Sequence, residues 1–89
     1  MIYAVDIDGV LCQEGSFPNY HKAVPLRENI DKVRKLFETG HEVILYSSRF
    51  EEDREVTEQW LTKHSVRYSR LILGKIRADI YVDDRNGNL

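Results

Sequence analysis

The chain has 89 residues, of which 42% are hydrophobic and 31% charged, and its formal net charge is −2. Such a length makes one domain, 1–89, with apolar material for a single core and little to spare for a second layer or lid; the near-neutral charge gives no reason to expect nucleic acid or an anionic membrane as a partner. One cysteine, Cys12, rules out an intrachain disulfide and fits the reducing cytoplasm, and apolar runs of four or five residues are too short to cross a bilayer or to form a signal peptide.

Ile2 to Val5 form a continuous apolar run, which reads as a strand buried on both faces. It leads straight into Asp6-Ile7-Asp8-Gly9-Val10. Residues two apart at a strand end point to the same side. Two acids held side by side repel each other unless a cation or a shared proton lies between them. Gly9 permits a sharp turn and the close approach of a ligand. In isolation an Asp-x-Asp is more often a strand-ending turn than a site. Residues 12–24 carry Gly15, Ser16, Pro18 and Asn19, the composition of a loop or flap. Phe17 and Tyr20 have two readings there: they fold over whatever the acids bind, or they anchor the flap to the core.

Pro25 suits the first position of a helix. Leu26, Ile30, Val33, Leu36 and Phe37 then recur at helical spacing, and Gly40 suits the C-terminal cap. Val43 to Tyr46 form a second apolar strand, bounded by Ser47-Ser48-Arg49. A second helix begins among Glu51, Glu52 and Asp53, whose charges suit the positive end of the helix dipole. Its apolar stripe is Val56, Trp60 and Leu61, as far as about Lys63. Ser65 to Arg70 is a connection, with Val66 and Tyr68 turned inward. Leu71–Leu73 and Ile80–Val82 are third and fourth strands, ending at Gly74-Lys75 and Asp83-Asp84-Arg85. This order predicts an α/β domain with a mainly parallel sheet and right-handed crossovers.

In such a sheet, ligands bind at the carboxyl ends of the strands. Every expected strand here ends in polar or ionisable residues: Asp6 and Asp8, then Ser47, Ser48 and Arg49, then Lys75, then Asp83 and Asp84. A parallel sheet brings them all to one edge, whereas chance polar residues scatter between both ends. Four carboxylates make a hard-oxygen site suited to Mg²⁺, which is commonly held by one or two carboxylates and a substrate phosphate. A lysine and a hydroxyl beside the metal can hold phosphoryl oxygens. A carboxylate can itself be the nucleophile of aspartyl-phosphate chemistry.

The set resembles the four motifs of the haloacid dehalogenase (HAD) superfamily of phosphatases. Asp6-x-Asp8-Gly9-Val10 after an apolar strand resembles the first motif, and Val43 to Ser47 the second. Lys75 resembles the third, and Asp83-Asp84 after Ile80-Tyr81-Val82 the fourth. The resemblance covers nearly the whole chain. It implies a HAD-like, Rossmann-like three-layer sandwich, minimal and capless. It also implies Mg²⁺-dependent hydrolysis of a phosphate monoester through an aspartyl-phosphate intermediate. Carried over, Asp6 is the nucleophile, and Asp8 is the general acid/base and also offers Mg²⁺ its backbone carbonyl. Ser47, with Ser48 beside it, and Lys75 bind the phosphoryl group. Asp83 and Asp84 complete the metal site with Asp6 and Asp8, either Asp83 or Asp84 being the direct ligand.

Tyr46 to Arg49 and Leu73-Gly74-Lys75 resemble small capless phosphatases of capsule and sugar-phosphate metabolism. Those usually carry Thr-Ala-Arg and Gly-Lys-Pro where this chain has Ser47-Ser48-Arg49 and Gly74-Lys75-Ile76. The expected substrate is therefore a small phosphorylated metabolite, with a sugar phosphate ahead of a nucleotide phosphate. The rival from another class is a non-catalytic HAD-like module that binds phosphate or a partner protein. The lack of a cap leaves the site open to a second copy or a partner, and an unpaired sheet edge near the fourth strand favours self-association.

Arg49 has two readings, a substrate contact or an ion pair with Glu52 or Asp53. Cys12 reads as a small buried hydrophobe and Trp60 as core. His21, His41 and His64 lack metal-ligand spacing and read as surface residues. Arg67, Arg70, Arg77 and Arg85 read singly as solvated charge, or together as a basic rim.

Overall fold

The computed structural model describes residues 1–74. The expected fourth strand, with Lys75, Asp83 and Asp84, lies outside the described residues. Within them the order is β1 (Ile2–Asp6), α1 (Arg27–Glu38), β2 (Glu42–Tyr46), α2 (Arg54–Lys63) and β3 (Arg70–Ile72). β2 pairs in parallel with β1, from Ile2↔Glu42 to Asp6↔Tyr46, and with β3, from Ile44↔Arg70 to Tyr46↔Ile72. The sheet order is β1-β2-β3. A parallel neighbour needs a crossover, and each helix supplies one. The result is a minimal Rossmann-like α/β fold, as the sequence predicts.

The two faces of the sheet differ. Val43 and Leu45 of β2 are fully buried, and Ile30 and Val33 of α1 join the same core as Trp60 and Leu61 of α2. Val5 of β1 and Leu71 of β3 pack against that core from either side. Both helices therefore cover one face. On the other face Ile2 is 68% exposed, and Ala4 and Ile72 are exposed as well. The expectation of a first strand buried on both faces is not met, and the described residues make two layers rather than three. The physical reason is topological: two successive crossovers of the same hand, stepping the same way across a sheet, put their helices on the same side.

The helix boundaries carry a second correction. Pro25 does not open α1. Gln13 N–H donates to Val24 O at 2.9 Å and Leu26 N–H to Leu11 O at 2.8 Å, so Pro25 lies in a short antiparallel bridge with Cys12. The chain is free to coil only from Arg27. The other end behaves as expected. Gly40 has φ +93°, its N–H reaches Phe37 O at 3.2 Å, and His41 N–H reaches Leu36 O at 3.2 Å. These two bonds close a Schellman cap, which the left-handed glycine makes possible.

α2 is preceded by a 3₁₀ turn, Glu51–Asp53. Its far end is tied to α1 by Arg27, which donates to His64 O at 2.8 Å. Val66 is buried in the core and Tyr68 packs against it, as predicted. Trp60 is buried and donates its indole N–H to Ala23 O at 3.0 Å, joining α2 to the base of the flap. No described helix is long and apolar enough to cross a membrane.

Candidate active site

β1 ends at Asp6, and the chain turns at once. Ile7 is fully buried, and its carbonyl accepts N–H groups from Val10, Leu11 and Cys12 at 3.2, 2.9 and 3.3 Å. Gly9 takes φ +88° and donates its N–H to Cys12 O at 2.8 Å. A side chain would be strained at that φ. The turn leaves Asp6 half-buried at the strand tip, where its Oδ1 accepts Ile7 N–H at 2.8 Å. It brings Asp8 over the carboxyl end of β2.

There Asp8 meets Arg49. The guanidinium donates from Nη2 to Asp8 Oδ1 at 2.8 Å and from Nε to Oδ2 at 3.1 Å, a two-point contact. Arg49 is fully buried. Its Nη1 donates to Thr57 Oγ1 on α2 at 3.0 Å, and Nη2 also lies 3.7 Å from Cys12 Sγ. The guanidinium carbon stands 3.9 Å from the centre of the Tyr20 ring. A buried cation is tolerated when its donors are satisfied and a counter-charge is close, and here a carboxylate, a hydroxyl and a ring face are all present. Arg49 therefore takes neither role that the sequence leaves open. It is sealed from solvent, and it pairs with Asp8 rather than with Glu52 or Asp53.

Burial alone would push the Asp8 carboxyl up, but the hydrogen bonds and charge of Arg49 outweigh it, with help from Cys12 and Ser47, and hold it below the ordinary value of 3.8. Burial and the Asp8 charge push the Cys12 thiol up to about 11. Cys12 is thus a protonated donor at 3.6 Å from Asp8 Oδ1, not a nucleophile. It is buried, as expected, but it is also part of this network.

Ser47 is fully buried at the end of β2. Its Oγ accepts Arg49 N–H at 3.0 Å and donates to Asp8 Oδ2 at 3.4 Å. Ser48 is the serine that opens outward: with Asp8 it forms the sheet side of an open pocket of about 300 Å³. The flap forms the other side through Glu14, Ser16, Phe17 and Tyr20. The two readings of the flap aromatics divide between them. Tyr20 is buried and anchors, whereas Phe17 is 63% exposed and stands edge-to-face on it at 6.0 Å. The structure thus brings together Asp8, Ser47, Ser48 and Arg49, with Asp6 at the adjoining strand tip but outside the lining of this pocket. Thr57 and Tyr20 as braces of Arg49 had no signal in the sequence beyond a hydroxyl on the inner side of α2. Among the described residues no three metal-ligating side chains converge. The expected metal site draws two of its four carboxylates from positions 83 and 84, outside them.

Three solved structures share this arrangement of strands and helices. An MCSG target from Vibrio cholerae superposes with a TM-score of 0.78 at 26% identity, over 94% of this chain and 80% of that one. A chain of the Pnkp1/Rnl/Hen1 complex gives 0.72 at 24% identity, over 88% of this chain and 30% of the other. A chain of the Pnkp1/Rnl/Hen1 RNA repair complex gives 0.70 at 24%, over 93% and 28%. The likeness is one of fold. No protein-family model matches the sequence, and no curated protein does.

Proposed function

We propose that this chain is a capless HAD-type phosphatase that hydrolyses the monoester of a small phosphorylated metabolite. The observation that carries the reading is the gathering of Asp6, Asp8 and Ser47 at the carboxyl edge of a parallel sheet, with Asp8 held in one orientation by Arg49. Asp6 would attack phosphorus through a carboxylate oxygen, and the ester P–O bond would break. Asp8 would give its proton to the departing oxygen. In the second half Asp8 would take a proton from water, whose oxygen displaces the Asp6 carboxylate and releases phosphate.

The Arg49 pair favours ionised Asp8, which suits the base half of this cycle and opposes the acid half. A bound phosphate dianion beside Asp8 would restore the balance, because like charge raises a carboxyl pKa. Hard carboxylate and carbonyl oxygens fit Mg²⁺. Asp6 and the Asp8 carbonyl would hold it with Asp83 or Asp84, since Arg49 occupies the Asp8 carboxylate. Bound there, the metal would offset charge on the transferring phosphoryl group.

The test is phosphate release from p-nitrophenyl phosphate with and without Mg²⁺. The parent should turn over only with the metal, and Asp6→Asn should fall to background. Equal rates in the two proteins would sink the enzyme reading, and phosphate binding without turnover would leave a non-catalytic module.

A further inference from the structure

We infer that the flap builds the leaving-group subsite of the proposed reaction, with Glu14 and Phe17 selecting a neutral, hydroxyl-bearing ring that carries a single phosphate. The inference rests on the phosphatase reading and extends it to substrate class. The roughly 300 Å³ pocket has Asp8, not Asp6, in its wall. Asp8 is the group assigned to protonate the leaving oxygen, so the pocket lies on the side where the leaving group sits. Its volume is at the small end of the range of about 300–1,000 Å³ for ligand pockets, enough for one ring rather than a chain.

Among the described lining residues, Glu14 sets the charge of this pocket. Asp8 is neutralised by Arg49 at 2.8 Å, whereas among the described residues no cation pairs with Glu14. Its carboxylate is tucked against the turn: a Cβ built on Gly9 would lie 3.0 Å from Glu14 Oε1. An ionised carboxylate accepts hydrogen bonds and donates none. Facing a leaving group, it favours hydroxyls and repels a second phosphate or a carboxylate.

Phe17 supplies the apolar surface. Its ring is exposed, yet it rests on Tyr20, which is itself fixed over Arg49. Such a platform suits the C–H face of a sugar ring, and it would equally take the base of a nucleoside monophosphate. The common chemistry is a monophosphate on a neutral hydroxylated ring, and substrate comparison separates the two sources.

The experiment measures kcat/KM of the full chain with Mg²⁺ on p-nitrophenyl phosphate, glucose 6-phosphate, glucose 1,6-bisphosphate and adenosine 5′-monophosphate, for the parent, Glu14→Gln and Phe17→Ala. The parent should prefer the hexose monophosphate over the bisphosphate by at least about tenfold, and Glu14→Gln should reduce that ratio several-fold. Phe17→Ala should raise KM for the ring substrates with kcat little changed. A parent that hydrolyses the aryl phosphate but treats mono- and bisphosphate alike, or a ratio unmoved in Glu14→Gln, overturns the subsite and leaves the phosphatase reading standing. Absence of all phosphate release from the parent overturns both. Preference for adenosine monophosphate over the hexose ester keeps the subsite and assigns its platform to a base.

Discussion

The pocket has two walls of opposite character. Behind the inner wall, formed by Asp8 and Ser48, lies a buried cation with every neighbour committed: Asp8, Thr57, Cys12 and Tyr20 all engage Arg49. The outer wall is a flap whose Glu14 and Phe17 face solvent. A buried charge is costly to leave unpaired, so the inner wall admits few substitutions. Glu14 and Phe17 are exposed and bury little surface, so on the proposed reading their identity is free to follow the substrate. On the proposed phosphatase reading, this division separates chemistry from selection.

The sharpest way to break the comparison is to remove Arg49. Arg49→Ala strands the Asp8 carboxylate and the Thr57 hydroxyl, and should cost about 3–5 kcal/mol in urea unfolding along with the proposed phosphatase activity. Arg49→Lys should recover only part, because an ammonium cannot make the two-point contact. A loss below about 1 kcal/mol for Arg49→Ala, in the range of surface ion pairs, would erase the difference between the walls.

The next effect is in pH. The Asp8 carboxyl is held below 3.8 in the folded chain. Its contribution to stability is therefore present above that value and is lost as pH falls through the lowered folded pKa. The stability gap between the parent and Asp8→Asn should be steady from pH 7 to about 5 and close below about pH 4. A gap that stays constant down to pH 3 would mean that Arg49 does not bias the titration.

The smallest effect is expected at the join of the walls. Gly9→Ala places a methyl at positive φ and against the Glu14 carboxylate. It should cost about 1 kcal/mol or slightly more by thermal unfolding. It should also move the monophosphate-to-bisphosphate ratio in the same direction as Glu14→Gln, since it displaces the same carboxylate.

The sequence carries the frame of this site well. The apolar runs and helical spacing place β1, β2 and both helices to within a residue or two, and the carboxyl-edge rule brings Asp6, Asp8 and Ser47 together. β3 starts at Arg70, one residue earlier than Leu71, because its register is set by the ladder to β2 and not by its own apolar run. Pro25 misleads for a similar reason, having been claimed by a bridge to Cys12. Arg49 was illegible because its partner is 41 positions away and arginines are rarely buried. Local spacing offered Glu52 and Asp53 instead. The serines show the limit of motif reading: both lie at the right edge, but only backbone geometry turns Ser47 inward and Ser48 toward the pocket.

The parallel register also sets how far apart along the chain the strands of the site must meet. Ile2 pairs with Glu42, so the strand that leads into both acids waits forty positions for its first sheet partner. β3 pairs with β2 over a shorter separation, through Ile44↔Arg70. Contacts so distant along the chain slow folding. A nascent or partly unfolded chain holds Asp6 and Asp8 as two ordinary acids on a loose segment. The paired carboxylate and its arginine stand at the tips of β1 and β2 and meet only when those two strands pair.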